Sequence, residues 1–152
     1  MIENVGLYLF TALAGGVLAG IAMEAVLWVV GTVGWAKANM IVALGSLILK
    51  RRDGAWRVGA LVHAIAALVF AMLYTLLMVK LGYTGMPQAM MVGLGVGFIH
   101  GLIVSLGLVW VVADQHPLEE FSEADLAIGL SHLLAHVAFG GVVGIVVGFS
   151  PL

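Results

Sequence analysis

The sequence predicts an all-α integral membrane protein: a four-transmembrane-helix bundle with a short interfacial helix between the first and second crossings. Three observations lead there. Hydrophobic residues make up 63% of the chain and charged ones only 9%, with a mean hydropathy of +1.19, which leaves too little polar surface for a water-soluble domain. Four apolar runs are each long enough to cross a hydrocarbon core about 30 Å thick. Twenty-one glycines, several recurring at every fourth residue, mark faces where helix backbones approach closely in lipid. At 152 residues the chain forms a single membrane domain.

The first crossing is expected over residues 5–34. Gly16, Gly20 and Glu24 fall at successive fourth residues, so the carboxylate shares a small-residue face and points into the bundle. Trp28 and Trp35 follow, the latter placed as an interface anchor. Residues 36–49 are apolar but too short to span, and suit a helix lying at the interface or dipping partly in. Lys37, Lys50, Arg51, Arg52 and Arg57, five of the 6 basic residues, sit in this connection. The positive-inside rule then makes it cytoplasmic and sets the N-terminus outside.

The second crossing is expected over residues 55–81, with Gly59, Ala60, His63, Ala66, Ala67 and Phe70 on one stripe. A turn at residues 82–87, rich in Gly and Pro, leads to a third crossing at residues 88–113, where Gly93, Gly97 and Gly101 repeat beside His100. The polar, acidic connection that follows holds His116, Glu119, Glu120 and Glu123, and Ser122 with Glu123 and Asp125 reads as a helix start. The fourth crossing, residues 124–149, carries Gly129, His132, His136, Gly140, Gly144 and Gly148 on one face. Ala60-Leu61-x-His63-x-Ile65-Ala66-x-x-x-Phe70 echoes Gly129-Leu130-x-His132-x-Leu134-Ala135-x-x-x-Phe139, as in a duplicated helix pair. The first and third crossings show no comparable match by eye.

Each crossing thus carries an ionisable group: Glu24, His63, His100, then His132 with His136. At about 1.5 Å rise per residue all five fall within one slab. Such groups are costly to hold in hydrocarbon and mark a functional site. One carboxylate and four imidazoles make a ligand set for a transition metal ion such as zinc, iron or copper. His132 and His136, at i and i+4, are spaced to share an ion. The set is too poor in carboxylates for a di-iron bundle. Three other uses remain open: haem b held between imidazoles of the second and fourth crossings, a structural or electron-carrying subunit of a larger membrane complex, and a proton relay without metal. Taken singly, each His or the Glu is explained as well by helix-to-helix hydrogen bonding; the shared depth argues for a site. Met86, Met90 and Met91 suggest a Cu(I) contact or simple packing. His116 suggests a contact at the inner mouth or part of a solvated loop. No nucleophilic triad is present, and Ser105 and Ser131 read as backbone hydrogen-bonders.

A net charge of −2 and the absence of a basic run interleaved with aromatics exclude a nucleic-acid partner. The lipid bilayer is the expected partner, with a homo-oligomer or larger membrane complex available through the glycine-rich faces. The chain has no cysteine, which excludes disulfides, thiolate sites and c-type haem attachment. The start, Met1-Ile2-Glu3-Asn4, lacks a basic n-region and cleavage site, so the first apolar segment is expected to stay in the mature chain.

Ala19-Gly20 with Met23, Leu44-Gly45, His63, Gly93 or Gly97 ahead of His100, and His136-x-x-Phe139-Gly140 with Gly144 together resemble small bacterial four-helix membrane proteins of unknown function. The resemblance implies a bacterial inner-membrane location and four crossings, and it implies no activity.

Overall fold

The computed structural model describes residues 4–36 and 39–152. They form α1 (Val5–Thr32), α2 (Met40–Leu49), α3 (Ala55–Leu81), α4 (Gln88–Gly107) and α5 (Leu126–Gly148), with no strand among the described residues. α1, α3, α4 and α5 are each long and apolar enough to cross a membrane. They alternate in direction, so the end of α1, all of α2 and the α4–α5 connection gather at the end that carries the basic residues. The chain is a multi-pass membrane bundle with a short helix between its first two crossings.

Local chemistry sets the helix limits. Asn4 caps α1 by accepting the Leu7 N–H at 2.9 Å, and Asp125 caps α5 by accepting the Ile128 N–H at 2.8 Å. α1 stops at Thr32, short of residue 34, because Gly34 turns the chain with φ +73. The fourth crossing starts at Leu126, not residue 124: Asp125 takes the capping role expected of Ser122, whose hydroxyl donates to Glu119 O within a 3-10 turn. α4 ends as a regular helix at Gly107 and continues to Val112 as one π-helical turn, with Ala113 N–H reaching Leu108 O at 3.1 Å. The apolar segment expected over residues 36–49 becomes helical only from Met40, capped by Asn39; Lys37 lies outside the described residues. α2 folds back on α3 as a helical hairpin, with Gly45 and Gly59 in backbone contact, and a methyl on either would overlap the opposing backbone.

Glycines set the other close approaches too. A Cβ on Gly16 would sit 3.0 Å from Ala71 and 3.1 Å from Leu68 of α3, and one on Gly97 would sit 3.2 Å from both Gly140 and Val137 of α5. These contacts correspond by a constant offset within each helix pair: Gly16, Leu68 and Ala71 match Gly97, Val137 and Gly140, and Gly20 against Ala67 matches Gly101 against His136. In this register the first and third crossings do align, Leu13-x-x-Gly16-x-x-x-Gly20 with Leu94-x-x-Gly97-x-x-x-Gly101. The bundle is two similar helical hairpins, α1/α3 and α4/α5, side by side in parallel, and α2 has no counterpart in the second.

The seams between the hairpins differ. α1 packs along α5, burying Ala19, Phe139 and Val143 in the main core. The equivalent seam, α4 with α3, barely closes; His100, Phe70 and Tyr74 occupy the positions of those three residues. Phe139 is 3% exposed and Phe70 36%. A wider ring set in place of Ala19 and Val143 keeps α3 away from α4, and a cavity fills the gap.

Candidate functional site

The cavity has a volume of about 1080 Å³. Glu24, His63, His100, His132 and His136 all line it, among apolar neighbours such as Met23, Leu27, Phe70 and Phe139. α2 supplies one wall through Met40, Ala43 and Leu44, and the α4–α5 connection borders the mouth through His116, Glu120, Glu123 and Asp125.

Two pairs form the floor. Glu24 Oε1 and His63 Nε2 are 3.2 Å apart, yet neither atom has an aligned hydrogen bond although both are buried. One helical turn deeper, His100 and His136 pack edge to face with ring centroids 4.7 Å apart. His132 lies at the His63 level by the hairpin correspondence. Each half therefore brings its two crossings together through one polar pair, at successive layers.

The α5 imidazoles are held in a defined tautomer. His132 Nδ1 lies 2.8 Å from Ile128 O and His136 Nδ1 lies 2.7 Å from His132 O. A carbonyl oxygen only accepts, so both Nδ1 atoms carry the hydrogen and both Nε2 atoms present a lone pair. That is the arrangement by which backbone carbonyls orient metal-binding histidines. His132 is 2% exposed, and its Nε2 is buried with no hydrogen-bond partner. Leaving such an atom bare costs about 1–3 kcal/mol, a cost that a ligand in the cavity would remove.

The five residues share the cavity, but no three His, Asp or Glu side chains among the described residues converge as a metal-binding group. Ligation of one ion by more than two of them requires side-chain rotation into the open space. His116 lies at the mouth, but as a structural contact. Its Nε2–H donates to Ala43 O of α2 at 3.0 Å, while its Nδ1 accepts the Leu118 N–H at 3.1 Å. Both nitrogens are spent on backbone, so it ties the α4–α5 connection to α2. Beside it, Arg52 pairs with Glu120. Met86 lies against Gly148 and Met90 against Gly144, which fits packing, whereas Met91 is exposed. Ser131 bonds within its own helix, to Ala127 O, but Ser105 crosses from α4 to Gly129 O at 2.8 Å.

Tyr74 belongs to the site and is absent from the expectations drawn from the sequence. Buried at 4% exposure, its hydroxyl lies 3.0 Å from His100 Nδ1, and its ring meets Phe139 edge-on at 5.7 Å. The signal was available, because Tyr74 continues the His63, Ala67, Phe70 stripe by one turn.

The geometry defines a class: a multi-pass helical membrane bundle with a polar-floored cavity reaching inward from one end. Searches against protein-family profiles, curated proteins and solved structures find no match for this chain.

Proposed function

We propose that this protein takes up a transition metal ion, zinc, iron or copper, through the basic-loop end and holds it in the cavity, for transport or for redox use. Glu24 and the histidines 63, 100, 132 and 136 are its ligands. The observation that carries the reading is that Glu24 Oε1, His63 Nε2 and His132 Nε2 are buried, without hydrogen-bond partners, on the wall of one cavity. Imidazole lone pairs and a carboxylate suit these ions. Glu24 supplies the negative charge that makes a dication tolerable in a medium of low dielectric. Glu123 and Asp125 at the mouth raise the local concentration of cations. The basic connection is cytoplasmic on this reading, the N-terminus outside, and the membrane the bacterial inner membrane.

The test is elemental analysis and an absorption spectrum of the protein purified in mild detergent, beside a His132→Ala/His136→Ala variant of unchanged helicity. About one ion per chain, lost in the variant, supports the proposal. Protein that stays metal-free after incubation with Zn(II), Fe(II) and Cu(I) sinks it, and a proton relay becomes the better account of the polar floor.

One observation favours a second reading. A cavity of about 1080 Å³ far exceeds what a bare ion needs and matches the upper size of small-molecule sites. Haem b, with an axial imidazole from His63 and another from His132 or His136, would use that space. A Soret band in the same spectrum separates the two.

A further inference from the structure

The α3–α4 seam is bridged by side chains, Tyr74 and Phe70 against His100, in place of close backbone contact, and the cavity opens beside them. What shuts it toward the basic end is α2 on one side and the α4–α5 connection on the other. α2 is bound to α3 by the backbone contact of Gly45 with Gly59, so these two helices form one unit. The connection is attached to that unit differently. Two polar contacts link it: the His116 Nε2–H donated to Ala43 O and the Arg52–Glu120 ion pair. Its own structure is one short 3-10 turn, Glu119–Phe121. It leaves α4 through the π-helical turn Leu108–Val112, a local unwinding of the kind found at hinges. The residues it carries, His116, Glu120 and Phe121, border the cavity opposite Asn39, Met40 and Ala43.

We propose that the α4–α5 connection is a flap that closes the cavity mouth against α2, latched by His116 on Ala43 and by Arg52 on Glu120. Breaking both latches lets the flap swing about the π-helical turn and admits water-borne solutes to the His/Glu floor. α2 is the fixed jamb, held on the α3 side of the seam that stays open. The inference concerns access and is independent of which ligand the floor takes.

The chain has no cysteine, so one introduced thiol reports access cleanly. Ala66→Cys places it on the cavity wall, one helical turn from His63 and outside the ligand set. In proteoliposomes, a water-soluble cationic methanethiosulfonate labels this thiol, and the rate is read by mass spectrometry. Adding His116→Phe and Glu120→Gln is expected to raise the rate about tenfold, the factor for losing one part-buried hydrogen bond and one exposed ion pair. In a second background, Arg52→Glu alone sets like charges across the latch and should also raise the rate, and Arg52→Glu/Glu120→Arg, which restores the pair with its charges exchanged, should return it to that of the latched protein. Equal rates in latched, unlatched, singly reversed and exchanged protein overturn the flap. If the unlatched variant does not fold, the single reversal and the exchange decide alone. No metal enters the readout, so failure of the metal proposal leaves this test intact.

Discussion

A methyl group added at Gly97 and one added at Gly95 should have opposite effects on stability. A Cβ at Gly97 would lie 2.5 Å from His136 O and 3.2 Å from the Gly140 and Val137 Cα atoms, all of them backbone. Ordinary contact begins near 3.4 Å, so α4 and α5 must part by about 1 Å. No side chain can turn aside to absorb this. Overpacking of that kind costs about 1–3 kcal/mol, against a helix-propensity gain of about 0.5–1 kcal/mol for replacing Gly by Ala. Gly97→Ala is therefore destabilised, by up to about 2 kcal/mol once the gain is subtracted. At Gly95 nothing lies within 4 Å, so the gain stands alone and Gly95→Ala should be more stable than the parent by about 0.5–1 kcal/mol. Reversible unfolding in mixed micelles with sodium dodecyl sulfate, followed by circular dichroism, measures both. A Gly97→Ala protein as stable as Gly95→Ala would refute the close α4–α5 approach, and with it the placement of His100 beside His136.

Further outcomes follow from single contacts. Tyr74→Phe frees His100 Nδ1 and should cost about 1 kcal/mol in the same assay; an unchanged midpoint would mean that the hydroxyl makes no net contribution. Ser105→Ala removes the hydroxyl bond to Gly129 O and should cost about 0.5–1 kcal/mol, the usual value between membrane helices. If Glu24 is a ligand, Glu24→Gln should weaken metal binding at least about tenfold with helicity unchanged, read by competition with a chromophoric chelator. Binding should also weaken in acid, because protons compete for the imidazole lone pairs. On the orientation proposed above, a periplasm-active phosphatase fused after Leu152 should be active, since an even number of crossings puts both termini on the same side; activity only when fused after Arg52 would reverse the orientation.

Much of the architecture was legible before any coordinates. Run length and hydropathy located the four long apolar helices, the second one to the residue because left-handed glycines, Gly54 and Gly82, bound it on either side. The Gly16–Gly20–Glu24 and Gly93–Gly97–Gly101 faces were visible because small residues at fourth positions have few other uses in lipid. Boundaries missed where a cap competed: Asp125 displaced Ser122, and Gly34 ended α1 early. The role of His116 could not be read at all, since its partner, Ala43 O, is a backbone atom seventy-three residues away that leaves no mark in composition or spacing.

By itself, then, the sequence determined that the chain enters a bilayer, how many times its helices cross, and which five ionisable groups lie within those crossings. Those follow from transfer free energies and helical periodicity, which are properties of a segment alone. The tertiary structure decided which helices touch. It paired Glu24 with His63 and His100 with His136, aligned the two hairpins, left the α3–α4 seam open and set α2 against it. These depend on whether a wide ring or a small residue meets a neighbouring backbone: His100 and Tyr74 hold one seam apart where Ala19 and Val143 let its counterpart close.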